Sequence, residues 1–245
     1  MSLQSRAVTM TKQMIQIEST DPGTYENAMA DWITTQLAPY PNVRLSRQEV
    51  LPGRPNLIAE LTGDPSLPAL VMICHMDTVV VGDGWTLPPF DAIEKDGKIY
   101  GRGACDMKSG LACCLSAFQY AAETLQTSGK TPKQTLKLIC SMDEEDFMRG
   151  SEACIQAGWV TDHDWVIDAE PTNGQIQMAH KGRTWYEIDV QGHTAHASTP
   201  WKGADAIAAM AEIIREIRHA ILYAPVHPDM GSSTVTFGQI TGGYR

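Results

Sequence analysis

The fold is decided by the stretch Leu70-Val-Met-Ile-Cys-His-Met-Asp77. The apolar residues that open it predict a strand buried on both faces, as interior strands of a parallel sheet are. A second short run of this kind, Trp165-Val-Ile167, follows later in the chain. Helix-forming segments separate these strands, and strands that alternate with helices predict an α/β fold. We therefore expect a mostly parallel-stranded sheet flanked by helices.

Local patterning places the other elements of this region. Segments suited to strands lie at 43–50, 56–61, 69–74, 135–142 and 164–167. Apolar residues at three- and four-residue steps predict helices at 7–17, 24–37, 106–122 and 151–157. Thr24 is expected to cap the second of these helices.

The pattern changes after Gln175. Residues 183–190 alternate as a strand would, 203–220 carry one apolar helical face, and 233–240 form a further strand-like segment. This order predicts a second, smaller α+β domain. We expect the boundary at Lys181–Gly182, with a first domain at 1–181 and a second at 182–245.

Composition excludes several classes of protein. Of the 245 residues, 43% are hydrophobic and 20% charged, which is typical of globular chains and not of disordered or fibrous ones. The net charge of −10, without any basic run, argues against a nucleic-acid partner. No segment resembles a signal peptide or a membrane span, so we expect a cytoplasmic protein without a membrane partner. The six cysteines lack a C-x-x-C pair and are expected to be free and buried.

Side chains that ligate metals follow three of the predicted strands. The first strand leads into His75 and Asp77, and the later two lead into the acidic run 143–146 and into Glu170. Ligands bind beyond the carboxyl ends of strands in open α/β sheets, so these groups are expected to converge. Asp106, which precedes a predicted helix, can join them. Together they predict a divalent-metal site.

Each of these signals has a simpler interpretation when taken alone. In the triplet His75-Met-Asp77, Asp77 can accept the second ring N–H of His75 and fix its tautomer, but a surface pair is the alternative. The acidic run can equally be a solvated loop. Asp106 can equally be a simple helix cap. Only their coincidence at the ends of buried strands favours a metal cluster.

Five ordered motifs resemble those of the M20 metallopeptidase family, the group of acetylornithine deacetylase, succinyl-diaminopimelate desuccinylase, aminoacylase and glutamate carboxypeptidase. They are His75-Met-Asp-Thr-Val79, Trp85 with Pro88-Pro-Phe90 and Asp96 to Lys108, Asp143-Glu-Glu145, Glu170-Pro-Thr172, and Gly192-His-Thr-Ala-His-Ala-Ser198. The resemblance spans nearly the whole chain. It implies a catalytic domain followed by a lid domain that also mediates dimerisation.

The resemblance implies two zinc ions in each active site, with cobalt and manganese as alternatives. It assigns metal ligation to His75, Asp106, Glu145 and Glu170. Asp106 would bridge the ions, one ion also taking His75 and Glu170 and the other Glu145. Asp77 would orient His75, and Glu144 would act as the general base.

The second domain contributes one further residue by resemblance. His196 corresponds to a histidine that reaches across a dimer interface to polarise the substrate carbonyl, although His193 lies close enough in sequence to be confused with it. The partners implied are a second copy of the chain and a small N-acyl amino acid or short peptide.

The implied activity is hydrolytic removal of an N-acyl group from an amino acid, and a dipeptidase or carboxypeptidase of the same family is the alternative. The chain ends at Arg245, inside the expected lid domain. In the family, the chain returns from the lid and supplies a final histidine to the second metal. We therefore also consider a non-catalytic fragment with an incomplete metal site.

Overall fold

The computed structural model describes residues 2–243 and divides them into two compact units. The first unit extends to Gly174 and the second begins at Gln175. The boundary expected from the sequence, Lys181–Gly182, lies slightly further along the chain. The last two residues of the expected second domain, Tyr244 and Arg245, lie outside the described residues.

The first unit contains nine strands and four helices among its described residues. The strands are β1 (Thr20–Asp21), β2 (Arg44–Leu51), β3 (Arg54–Leu61), β4 (Leu70–His75), β5 (Thr78–Val79), β6 (Ile93–Lys95), β7 (Lys98–Tyr100), β8 (Leu136–Ser141) and β9 (Trp165–Asp168). The helices are α1 (Leu3–Ile15), α2 (Asn27–Leu37), α3 (Lys108–Ser128) and α4 (Arg149–Gln156).

A five-stranded sheet with the order β2-β3-β8-β4-β9 forms the centre of this unit. The strands β8, β4 and β9 pair in parallel, whereas β3 runs antiparallel to both of its neighbours. The parallel register aligns Cys74 with Cys140 and His75 with Ser141. The carboxyl ends of the three parallel strands therefore lie at one edge, as the sequence predicts.

Both faces of the sheet are covered by helices. Leu57, Ala59 and Leu61 of β3 pack into a core cluster with residues of α1, α2 and α3, while Ile58 packs on the opposite face with Cys154 of α4. Neighbouring side chains of a strand point to opposite faces, so this alternation requires cover on both sides. It explains why the central strands are continuous apolar runs.

The five strands of the sheet begin and end within about two residues of the sequence-based bounds. One expectation about them is wrong. Trp165, Val166 and Ile167 of β9 are 68%, 50% and 50% exposed instead of buried on both faces. The reason is topological, because β9 is an edge strand that pairs only with β4 among the described residues.

Two smaller expectations also fail. Helix α2 begins at Asn27 with Glu26 as its N-cap, so Thr24 does not cap it. All six cysteines are free, and four are buried, but Cys105 and Cys113 are exposed.

Among its described residues, the second unit contains one α-helix, α5 (Ala206–Leu222), and a 3₁₀ turn at Pro200–Lys202. Asp205 caps α5 by accepting the backbone N–H of Ala208 at 3.0 Å. The strands expected at 183–190 and 233–240 are not formed in the part of this unit that the structure describes. Alternating apolar residues define a strand face but supply no pairing partner, and these segments form no hydrogen-bonded ladder there.

Across residues 2–243, no helix is both long and apolar enough to cross a membrane. The cytoplasmic location stays a prediction.

Candidate metal centre

The strand register brings the ligand-type side chains to one level of the sheet. His75 is the last residue of β4, and the acidic run 143–146 follows the end of β8. Ile73 of β4 aligns with Asp168 of β9. Glu170, two residues beyond Asp168, therefore emerges next to His75. The convergence expected from three strand ends is what the fold produces.

His75 lies at the centre of this arrangement and is almost completely buried. Its Nε2 atom lies 3.1 Å from Oδ1 of Asp106 and 3.6 Å from Oε1 of Glu170. Its Nδ1 atom lies 2.9 Å from the backbone carbonyl of Asp77. A proton on Nδ1 would donate to this carbonyl and leave Nε2 facing the carboxylates.

We name the five residues that gather here the carboxylate cluster. They are His75, Asp106, Glu144, Glu145 and Glu170. Ligand atoms of His75, Asp106 and Glu145 lie within 4.8 Å of one another, and so do those of His75, Glu144 and Glu170. The structure thus brings together all four of the expected metal ligands and the expected general base. The roles of these residues stay predictions.

The pKa values in the carboxylate cluster reflect its crowding. Burial raises the pKa of Glu170 to about 8, with the charges of Asp106, Asp168 and Glu144 adding to burial and that of His75 opposing it. Burial also raises the pKa of Glu145, and the charge of Asp106 reinforces this. A site that holds several carboxylates together favours a cation among them.

His75 and Asp106 shift each other's pKa in opposite directions. Burial lowers the pKa of His75, but hydrogen bonds with Asp106 and Asp77 outweigh burial and raise it to about 11. The hydrogen bond with His75 in turn lowers the pKa of Asp106. In the absence of a metal, an imidazolium thus takes the position of a cation beside Asp106.

Asp77 has a different set of contacts from the one expected. Its carboxylate lies 3.5 Å from Nδ1 of His75, further than its own backbone carbonyl. The two carboxylate oxygens accept the backbone N–H groups of Glu144 at 3.2 Å and Glu145 at 3.0 Å. Asp77 therefore also holds the backbone of the acidic run, a contact that the sequence did not reveal.

Asp106 is not a helix cap. Helix α3 begins at Lys108 with Met107 as its N-cap, and no side chain of the described residues caps it. The carboxylate of Asp106 points instead to His75. The helix-cap interpretation of Asp106 is therefore wrong, and its role as a metal ligand stays a prediction.

Lys108, two residues after Asp106, is a buried charged residue that sequence analysis missed. Its side chain is buried, and its Nζ donates to the carbonyls of Met14 at 3.0 Å and Ile17 at 2.8 Å. Burial lowers the pKa of Lys108 to about 7, which the charge of Glu18 opposes. These bonds tie the start of α3, and hence Asp106, to the carboxyl end of α1. A lysine inside an otherwise apolar helix face was the available signal.

A second group of charges lies next to the carboxylate cluster, and we name it the arginine network. Its members are Asp21, Glu26, Arg54, Asp143 and Arg149. Arg54 contacts Asp21 at 2.6 Å, Glu26 at 2.9 Å and Asp143 at 3.3 Å. Arg149 makes two bonds of 2.6 Å to the carboxylate of Asp143. The first acid of the run 143–146 is thus neutralised by arginine, and the solvated-loop interpretation is wrong for it.

The two candidate histidines of the second unit are both exposed. Nδ1 of His196 lies 2.8 Å from the hydroxyl of Ser198, which fixes one nitrogen of the ring locally. The backbone of His193 pairs with Ala204. The role expected for His196 stays a prediction.

The donor set fits a divalent cation such as zinc. Neutral imidazole and carboxylates are ordinary zinc ligands, and cobalt and manganese accept the same donors. The crowding that raises the pKa of Glu170 and Glu145 is the observation that supports this fit, since a dication would offset it.

The fold is a mixed α/β sheet covered by helices, and the carboxylate cluster lies beyond the carboxyl ends of its parallel strands. The sequence profile described as peptidase family M20/M25/M40 matches residues 71–241, so the chain belongs to this family of hydrolases.

Over the aligned residues, curated relatives are about a third identical to this chain. A probable succinyl-diaminopimelate desuccinylase of Staphylococcus aureus is 36% identical over 167 residues, which are 67% of this chain and 40% of that protein. An acetylornithine deacetylase of Buchnera aphidicola is 34% identical over 175 residues, covering 69% of this chain and 44% of that protein. The chain spans less than half the length of the curated relatives it matches.

Solved structures support the fold. Aminopeptidase PepT from Bacillus cereus matches 99% of this chain and 62% of its own, with a TM-score of 0.59 and 22% identity. A tripeptidase of Staphylococcus aureus matches 86% of this chain and 56% of its own, with a TM-score of 0.56 and 21% identity. At this identity the likeness concerns the fold alone.

Proposed function

We propose that this chain belongs to a zinc-dependent amidohydrolase that removes the N-acyl group from an amino acid. The observation that carries the proposal is the carboxylate cluster, in which three carboxylate ligand candidates surround the buried His75, with Glu144 beside them. The relatives named as a desuccinylase and a deacetylase support this substrate class.

The residues of the cluster have different chemical roles in this proposal. His75, Asp106, Glu145 and Glu170 would hold the ions, with Asp106 between them. Bound zinc supplies a Lewis acid and a water of lowered pKa. Glu144 takes the proton of the attacking water and returns it to the leaving amine nitrogen, which is general acid–base catalysis by one carboxylate.

The chain also places groups that keep this geometry. The carbonyl of Asp77 fixes the tautomer of His75, so that Nε2 faces the ligand positions. The carboxylate of Asp77 holds the backbone of Glu144 and Glu145. His196 of a second copy would stabilise the carbonyl oxygen as it becomes negative, and this role requires a homodimer.

The test is hydrolysis of N-succinyl and N-acetyl amino acids by the zinc-loaded chain and its Glu144→Gln variant. We expect the variant to lose about 10²–10⁴-fold in kcat while zinc binding is retained, because a general base contributes a factor of this size. Glu152→Gln, a change of the same kind at an exposed position of α4, is the matched control and should keep full activity.

The outcomes separate the alternatives. Turnover of dipeptides but not of N-acyl amino acids would favour the dipeptidase or carboxypeptidase. Unchanged kcat in Glu144→Gln would refute the assigned base. Absence of zinc binding and turnover in the wild-type chain would favour the non-catalytic fragment.

A further inference from the structure

Two segments supply the carboxylates on either side of His75. Asp106 lies just before α3, whose first turn follows directly with Lys108. Glu170 lies two residues beyond the end of β9, where the backbone has left the ladder with β4. The distance between these segments therefore decides whether both carboxylates reach the same histidine.

The segments meet at Gly110 in the first turn of α3. A β-carbon added to Gly110 would lie 2.2 Å from the backbone oxygen of Ala169 and 3.2 Å from its β-carbon. Ala169 is the residue before Glu170, and it packs against the main core. The helix thus touches the backbone beside Glu170 at a point where only glycine fits.

The contact between Gly110 and Ala169 is tight, and neither backbone segment can move away easily. Nonbonded heavy atoms are most stable at about 3.5 Å, so a methyl group would force the segments apart by about 1 Å. The obstructing atom belongs to the backbone and cannot rotate away as a side chain would. Ligand-binding arrangements tolerate displacements of only about 0.5 Å. A side chain at this position would therefore displace Glu170 relative to Asp106.

The edge position of β9 makes this contact important. Among the described residues, β4 is the single strand that pairs with β9, and its ladder ends at Asp168. Beyond that point, the position of Glu170 depends on how Ala169 seats against α3 and the core. Glycine is also a poor residue for the interior of a helix, because it lowers helix stability relative to alanine.

We propose that Gly110 is a positioning residue of the metal centre: by lacking a side chain, it lets α3 abut Ala169 and so fixes Glu170 beside His75 and Asp106. This inference rests on the proposed function. It adds a residue that touches neither the metal nor the substrate.

The test compares Gly110→Ala with wild-type chain in three measurements: zinc affinity by competition with a chelating dye, the visible absorption spectrum of the Co²⁺-loaded chain, and melting of the metal-free chain. We expect about tenfold or greater loss of zinc affinity, as for other residues that orient ligands. The Co²⁺ spectrum should shift because a displaced carboxylate changes coordination. The melting temperature should fall, although helix propensity alone would raise it.

Gly129→Ala is the matched control. Gly129 ends the same helix with a φ of 63°, and no atom lies within 4 Å of its added β-carbon. The control should lower the melting temperature through backbone strain but leave zinc affinity and the Co²⁺ spectrum unchanged.

The results of these measurements distinguish failure of the role of Gly110 from failure of the proposed function. A Gly110→Ala chain with wild-type affinity and spectrum, or with a raised melting temperature, would overturn the role of Gly110 and leave the proposed function intact. A variant that does not fold would overturn it too, because strain at one contact should leave the remaining fold in place. A wild-type chain that binds neither ion would instead refute the proposed function.

Discussion

The arginine network and the carboxylate cluster are neighbouring groups of charges that meet in the run 143–146. In the network, two arginines contact Asp21, Glu26 and Asp143. In the cluster, Nε2 of His75 contacts the carboxylates of Asp106 and Glu170. Consecutive acids of one loop thus belong to two different environments, and the difference lies in what neutralises them.

The pKa values show the consequence. Burial raises the pKa of Asp143, but hydrogen bonds and charges of Arg149 and the charge of Arg54 outweigh it, and the net shift is downward. For Glu170, burial and neighbouring acids prevail over His75 and raise the pKa to about 8. Charges compensated within the chain stabilise the fold, whereas the crowded acids of the cluster favour the binding of a cation.

The largest effect is expected at Arg54, whose guanidinium is the centre of the arginine network. Arg54→Met removes the guanidinium that the carboxylates of Asp21, Glu26 and Asp143 contact. Breaking buried ion pairs in this way lowers the free energy of unfolding by about 3–5 kcal/mol. Urea denaturation of the metal-free chain measures this change.

Arg47→Met is the matched control for this experiment. Arg47 pairs with Asp31 at 2.6 Å, and the two side chains are 36% and 60% exposed. Exposed ion pairs contribute about 1 kcal/mol or less, so little change is expected. Equal effects of the two substitutions would show that the network is not the stabilising element.

A smaller effect of a different kind is expected in the carboxylate cluster. Zinc at about 100 times its dissociation constant should raise the free energy of unfolding by about 2.7 kcal/mol. Glu170→Gln should reduce this gain by about 1.4 kcal/mol for each tenfold loss of affinity. Without metal, the variant should be no less stable than the wild type, because it removes an acid that its surroundings keep protonated. Melting with and without zinc measures both effects.

Glu152→Gln, at an exposed position, should change neither value. If Glu170→Gln destabilised the metal-free chain while leaving the zinc gain intact, Glu170 would be a structural residue and the contrast with the network would fail.

The sequence predicted the sheet and the convergence of His75, Asp106, Glu145 and Glu170 because both follow from local patterns. Apolar runs mark buried strands, and the ends of parallel strands share an edge. The edge position of β9 could not be predicted from local patterns, because its apolar residues do not show how many neighbouring strands it has.

The arginine network could not be predicted for a related reason. Arg54 contacts Asp21, Glu26 and Asp143, which lie on segments distant in sequence. No periodicity links them. A charged residue at the start of the wholly buried strand β3 was the one available hint. Charges compensated through tertiary contacts leave little local signal, whereas ligands at strand ends leave a strong one.

The smallest effect is expected at Asp77, which lies between the two groups. Its substitution tests whether the carboxylate holds the acidic run or orients His75. Asp77→Asn replaces one carboxylate oxygen by an amide donor. The variant loses a charge-assisted hydrogen bond to the backbone of Glu144 or Glu145. This loss should lower the free energy of unfolding by about 1.5 kcal/mol. Amide hydrogen exchange should accelerate at these two residues, because their N–H groups lose a partner. In the zinc-loaded chain, the tautomer of His75 with the proton on Nδ1, read by nitrogen NMR, should persist because the backbone carbonyl of Asp77 remains. A changed tautomer with unchanged exchange would show instead that the carboxylate acts on His75, and that the acidic run is held by the arginine network alone.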